Sequence, residues 1–236
     1  MKIHINDRLV RRNARLGQVA SLVGLLVLVG GMYISFQYQN LVGVAWIALL
    51  IGFALSQLGL YYGNRWGRRP RPDEHLSLAL KSMDDRHSLY HYLSPVPHLL
   101  VGPSGIWVLI PYHQIGKITY ENGRWKHKGG NVFQRYLRLF AQEGIGRPDV
   151  DSKAEVEAIK RYLKKQLPDR YIPEPKPVLV FTSDKAELEA DEAPVPSVPL
   201  KKLKELIRKS AKDSAIDTDS LKFIRDFLTP ADQQSN

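Results

Sequence analysis

From Arg15 to Arg65 the chain carries no other charged residue. Two apolar runs fill that interval, residues 16–36 and 41–62, joined by the short polar sequence Gln-Tyr-Gln-Asn. Each run holds about 20 residues, and at roughly 1.5 Å per residue that crosses a hydrocarbon core of about 30 Å. Inside lipid the backbone amides find no water, so each run is predicted to be a helix that satisfies its own hydrogen bonds. The linker at residues 37–40 has room only for a tight turn. A two-helix transmembrane hairpin over residues 16–62 follows. A cleaved signal peptide fits less well, because the first run is long, ends in Tyr33, Phe36 and Tyr38, and leads at once into the second.

The flanks orient this hairpin. Arg8, Arg11, Arg12 and Arg15 precede the first run, and Arg65, Arg68, Arg69 and Arg71 follow the second, whereas the turn has no positive charge. By the positive-inside rule, both termini are expected on the cytoplasmic side of the cell (inner) membrane. Tyr33, Tyr38, Tyr61, Tyr62 and Trp66 fall near the expected interfaces, where aromatic rings favour the headgroup layer. Ala48, Gly52 and Ser56 form a small face at four-residue spacing. It is read first as the packed seam within the hairpin and second as a dimer face.

Charge is divided unevenly along the chain. The 236 residues carry a net +10, yet residues 73–236 hold 25 Lys+Arg against 23 Asp+Glu. Most of the basic excess therefore flanks the apolar runs, which argues against a simple polyanion-binding protein. There are no cysteines, so disulfides and thiolate metal sites are excluded. The chain divides into a basic N-terminal segment (residues 1–15), the hairpin (16–62), a basic juxtamembrane linker (63–72), a cytoplasmic domain (73–230) and a tail (231–236). The basic residues of the linker either touch anionic headgroups, at about 1 kcal/mol each, or act only as topology signals.

Beyond residue 72 the periodicity alternates between helix and strand. Leu76, Leu80 and Met83 predict a helix over residues 73–85. The sequence HSLYHYL reads as a strand, and PHLLVG and GIWVLI form a hairpin around Pro103, Ser104 and Gly105. GKITYENGRWKHK is a second hairpin, with Asn122-Gly123 as its type I′ turn. A short helix is expected over 132–140 and a longer one over 151–167, capped by Asp151 or Ser152. PVLVFTS is a buried strand, residues 184–199 an acidic, Pro-rich loop, and two helices follow at about 200–212 and 218–228. The fold class is a mixed α/β or α+β domain.

The order DEHLSLAL, LYHYL, VPHLLVGPSGIWVLIP and GKITYENGRW resembles the nuclease-related domain, NERD, of the restriction-endonuclease-like superfamily. The likeness runs over roughly residues 72–180. It implies a restriction-endonuclease-like fold and a metal-dependent phosphodiesterase ancestry. Gly102, Pro103 and Gly105 keep the family's turn, and His98 keeps the His that follows its Asp. Glu74 falls near the family's early Glu. The positions of the remaining active groups are occupied by Pro97, Ile110 and Tyr112 in place of Asp, an acid and Lys. A Gln of the later helix would fall near Asp151.

Hydrolysis of a phosphodiester by such a site needs a hard divalent cation held by oxygen ligands, which activates water and stabilises charge on phosphate. Pro and Ile supply no side-chain oxygen, and a phenol is a poor replacement for an ammonium. The resemblance therefore implies a degenerate site with no cofactor and no catalytic residues. Relocated acids are sought at Glu121, Asp84 and Asp85, all read as solvated turn or helix-end residues. A two-His, one-carboxylate set of His98, His113 and Glu74 is the metal alternative, weighed against ordinary structural histidines. No phosphate-binding Gly-Lys-Ser loop and no nucleophile elbow is present.

Lys117, Arg124, Lys126, Lys128, Arg135 and Arg138 are opposed only by Glu121 in their stretch and interleave with Tyr120, Trp125, Phe133 and Tyr136. Such a mixture suits nucleic acid, an anionic lipid surface, or simply a solvated face above core aromatics. The reading is a membrane-anchored NERD-like domain, a pseudoenzyme that binds or scaffolds a protein, nucleic acid or lipid surface. The alternative is a membrane-tethered nuclease that uses Mg²⁺ through relocated ligands.

Overall fold

The computed structural model describes residues 1–128, 145–213 and 218–229. The helix expected over 132–140, with Phe133, Arg135, Tyr136 and Arg138, and the tail 231–236 lie outside the described residues. The chain forms two compact units, one of Asn6–Arg71 and one of Met1–Ile5 with Pro72–Asn236.

The first unit is the helical hairpin. α1 (Asp7–Gln37) starts where Asn6 Oδ1 accepts from the Leu9 amide at 3.0 Å, a side-chain cap of the first turn. A 3₁₀ turn at Gln39–Leu41 reverses the chain into α2 (Val42–Tyr62), and a π turn at Gly63–Gly67 ends it. The two helices pack along a seam of residues seven apart. Val10, Gly17, Gly24 and Gly31 are the buried positions of α1, and Ala45, Gly52 and Gly59 those of α2. A seven-residue repeat keeps one stripe facing the partner helix. Lacking side chains there, the backbones approach closely: a Cβ built at Gly24 would lie 2.8 Å from the Ser56 amide, and one at Gly52 would lie 3.0 Å from the Leu28 amide. Ala48 and Ser56 meet Gly31 and Gly24 across this seam, so the small face of α2 serves the hairpin itself.

Outside the seam, the helices present their large apolar side chains outward. Leu22, Leu26, Trp46, Ile47 and Leu50 are each at least 60% exposed. The core helix of a water-soluble protein would bury them; here two helices are long and apolar enough to cross a membrane.

The second unit is a mixed α/β fold in three layers. Its central sheet contains β1 (Lys2–Ile5), β2 (Ser88–His91), β3 (His98–Gly102), β4 (Gly105–Tyr112), β7 (Lys176–Phe181) and β9 (Ser197–Pro199), in the order β1-β2-β3-β4-β7-β9. β2, β3 and β4 form an antiparallel meander, and β1, β7 and β9 join in parallel pairings. A smaller sheet has the order β6-β5-β8, from β5 (Gly116–Glu121), β6 (Arg124–Lys128) and β8 (Ala186–Glu189). Asn122 and Gly123 both take positive φ, 51° and 72°, at the β5–β6 turn, as a type I′ hairpin requires.

Alternation along the strands sends side chains to two cores. Leu99, Val101, Ile106, Val108, Ile110 and Phe181 meet Ile159 and Leu163 of α4 (Pro148–Gln166) and Leu221, Ile224 and Leu228 of α6 (Thr218–Leu228). On the other face Leu89, Leu100, Trp107, Leu109 and Val180 meet Leu76 and Leu80 of α3 (Pro72–Leu80) and Leu203 and Ile207 of α5 (Leu200–Asp213). Burial on both faces explains why HLLVG and GIWVLI read as nearly unbroken apolar runs.

Several boundaries differ from the sequence reading. α3 stops at Leu80, because Asp84 turns back to bond Arg86 and His87 instead of extending the helix. α4 starts at Pro148, not 151; proline suits the first helical turn, and Ser152 Oγ–H donates to the Asp149 carbonyl, within the helix. The stretch 184–199 is not all loop: it contributes β8 and β9. Residues 2–5, placed in a basic tail by sequence, are the edge strand beside β2, in register from Lys2↔Ser88 to Ile5↔His91.

Candidate functional site

The positions that the NERD resemblance maps to catalysis fall near one end of β3 and β4. Ile110 is 7% exposed and belongs to the apolar core beneath α4. Tyr112, two residues on, packs against the same core with its ring 5.6 Å from that of Phe181. Pro97 closes the turn before β3, where its carbonyl accepts the Tyr92 amide at 2.8 Å. Glu74 lies in the first turn of α3, a helix that packs through Leu76 and Leu80 on the opposite face of the sheet. Trp107 also points to that opposite face, where its Nε1–H donates to Ser104 Oγ at 3.0 Å, so it does not fill the Ile110 corner.

Burial pushes the Tyr112 phenol well above its ordinary range, and the charges of Asp151, Glu155 and Asp149 push it further. Asp149, Asp151 and Glu155 belong to the first two turns of α4. Among the described residues, no group of three His, Asp or Glu side chains is arranged to hold a metal ion.

The histidines pair differently from the sequence reading. His113 is exposed beyond the end of β4, while His98 is buried, so these two and Glu74 form no ligand set. The partner of His98 is His91, opposite it on β2, with their Nδ1 atoms 2.8 Å apart. His91 Nε2 is 3.0 Å from Ser77 Oγ on α3, and the Tyr92 hydroxyl donates to Asp73 Oδ1 at 3.4 Å. Asp73, His91 and His98 are all essentially inaccessible. Tyr92 itself has a φ of 60°, a left-handed conformation uncommon for a bulky residue, beside this polar cluster. The spacing of 91 and 98 held a signal: a short connection between two antiparallel strands brings their adjoining ends face to face.

Asp84 and Asp85 are engaged. Asp84 bonds Arg86 at 2.6 Å and His87 Nδ1 at 2.6 Å, and Asp85 accepts from the Met1 ammonium at 2.7 Å. Burial opposes ionisation of Asp84, but the Arg86 and His87 hydrogen bonds outweigh it and hold the carboxyl at about 2. Burial lowers the His87 imidazole against the pull of Asp84.

Of the basic set, Lys117 pairs with Glu189 at 2.7 Å and Lys126 with Glu121 at 2.8 Å. Arg124 and Lys128 are exposed at the ends of β6. Arg124 and Trp125 line a shallow concavity with Arg147 and Asp149. The ring of Trp125 lies 5.3 Å from Tyr120 and 6.5 Å from Phe181. Compared with protein-family models, curated proteins and solved structures, the chain finds no match in any of the three.

Proposed function

We propose that this chain is a membrane-anchored, catalytically silent NERD-like module, held by its hairpin at the cytoplasmic face of the cell membrane, where it binds or scaffolds a partner. One observation carries the silent reading: Ile110, at a position where the family pattern has an acid, is packed into the apolar core beneath α4, and Tyr112, where it has Lys, packs against that core. A hard cation needs oxygen ligands there and would meet hydrocarbon. The order of helix, antiparallel meander, helix and parallel strand is compatible with the resemblance.

The sidedness has support of its own. Strands from before and after the hairpin join one sheet, β1 beside β2. A hairpin that crosses the bilayer twice returns the chain to the side it left, as that sheet requires. The arginines at both flanks favour the cytoplasm for that side. Since the chain has no cysteine, Asn40→Cys and Glu157→Cys can each be labelled alone. An impermeant maleimide applied to spheroplasts should reach position 40, and position 157 only after lysis; the reverse pattern would reject this orientation.

Catalysis is tested with the full-length protein in detergent, incubated with single- and double-stranded DNA and Mg²⁺. No EDTA-sensitive cleavage is expected. Cleavage abolished by EDTA and by Glu74→Ala would overturn the silent reading. It would favour the second one, a tethered nuclease with relocated ligands. Salt-sensitive DNA binding that is lost in Arg124→Glu with Lys128→Glu would identify the partner as nucleic acid.

A further inference from the structure

Arg8, Arg11, Arg12 and Arg15 follow the spacing i, i+3, i+4, i+7, so they share one face of α1. All four are exposed. The seam positions Val10 and Gly17 lie on the other side of the helix, so the arginine face points away from α2. Between Asn6 and Arg71 the basic residues are all arginine, and Asp7 is the single acid.

Continued along the helix, the same face becomes apolar. Val19, Leu22, Val23 and Leu26 extend the stripe, and all are exposed. A charged stretch that passes directly into an apolar one, on one unpartnered helix face, has the polarity profile of a phospholipid. The dimensions agree. The hydrocarbon core is about 30 Å thick, and the whole bilayer about 40–45 Å, which leaves roughly 5–7 Å of headgroup on each side. At roughly 1.5 Å per residue from the start of the apolar run, Arg12 and Arg15 fall within that layer, Arg11 at its outer edge, and Arg8 about 12 Å out, beyond it. Guanidinium groups bind phosphate oxygens bidentately, which ammonium groups do not. A soluble polyanion or a protein partner would satisfy the arginines but leave the contiguous Val19–Leu26 ridge unmatched.

We propose that this face of α1 is a binding site for an anionic phospholipid, its phosphate held by Arg12 and Arg15 with Arg8 and Arg11 adding charge, and an acyl chain lying along Val19, Leu22 and Leu26. The site rests on the reading of α1 as a membrane span. Alkaline extraction of membranes tests that premise separately: release of the wild-type chain into the soluble fraction would refute the span, whatever lipid it binds.

The test of the site itself is native mass spectrometry of the full-length protein, released from detergent micelles carrying equal amounts of dioleoyl phosphatidylglycerol and dioleoyl phosphatidylcholine. The wild type is expected to retain phosphatidylglycerol preferentially. Arg12→Gln with Arg15→Gln should lower that retention about thirtyfold, in line with the usual worth of two basic residues at a lipid surface. Arg12→Lys with Arg15→Lys preserves charge and insertion, and should lower it severalfold through loss of the forked contact. Lys201→Gln with Lys204→Gln, on the α/β unit, should leave it unchanged. Equal retention of the two lipids by the wild type, or a preference that survives in the Gln pair, would overturn the proposal.

Discussion

His91 and His98 face each other across the β2–β3 ladder with their Nδ1 atoms 2.8 Å apart, in a region closed to solvent. One ring must donate and the other accept, which fixes complementary tautomers. His91→Leu leaves the His98 nitrogen and the Ser77 hydroxyl without this partner. A loss of about 1–3 kcal/mol is expected, the usual cost of stranding a buried polar group. His91→Leu with His98→Leu should cost less than the sum of the singles. Denaturant titration of the detergent-solubilised protein measures all three; strict additivity would show that the contact contributes nothing.

Acidification should destabilise the turn before β2 in two stages. His87 titrates lower in the fold than its ordinary 6.5, so it resists charging. Its stabilising contribution is complete above about pH 6.5 and declines as pH falls below that. Asp84, held at about 2 against an ordinary 3.8, contributes above pH 3.8 and loses that contribution as pH falls through about 2. Where His87 is protonated while Asp84 is still ionised, the 2.6 Å contact is an ion pair. A Tm profile from pH 7 to 5 should slope downward in the wild type and flatten in His87→Gln.

The glycine seam should tolerate no side chain. A Cβ at Gly59 would lie 2.6 Å from the Ser21 amide, so the helices must separate to admit it. Gly59→Ala is expected to cost about 1–3 kcal/mol, as overpacking does elsewhere. Gly30→Ala and Gly43→Ala meet nothing within 4 Å and serve as neutral comparators. Thermal aggregation midpoints of the three variants in one detergent would decide the matter, and equal midpoints would count against the seam.

Much of this architecture is legible in the chain because it depends on local signals. A long charge-free interval specifies the hairpin, alternating and continuous apolar runs specify β2 to β4 and β7, and Asn122-Gly123 specifies its own turn. What escapes is pairing at a distance. Lys2–Ile5 has no neighbour in sequence to mark it as a strand, since Ser88–His91 lies beyond both apolar helices. Ala48, Gly52 and Ser56 stand at four-residue spacing in the sequence, but the seam follows sevens, and that spacing does not mark its α1 half at Gly17, Gly24 and Gly31. At the candidate site, the identities Pro97, Ile110 and Tyr112 are plain in sequence. That α4 covers Ile110 and Tyr112, and that His98 meets His91 and not His113, depends on register and packing.

Rebuilding the family pattern should fail. Ile110→Glu places a carboxylate in the core beneath α4, and more than about 3 kcal/mol of stability should be lost. With Tyr112→Lys added, the chain should still cleave no DNA in Mg²⁺. Mg²⁺-dependent cleavage by that pair would overturn this expectation.

β1 waits for its partner while both apolar helices are made, because β2 leaves the ribosome only after them. On the membrane-spanning reading, a helix that failed to cross would strand β1 and β2 in different compartments, and the edge of the sheet would stay open. The sheet can therefore close only where the chain before α1 and the chain after α2 end on the same side of the bilayer.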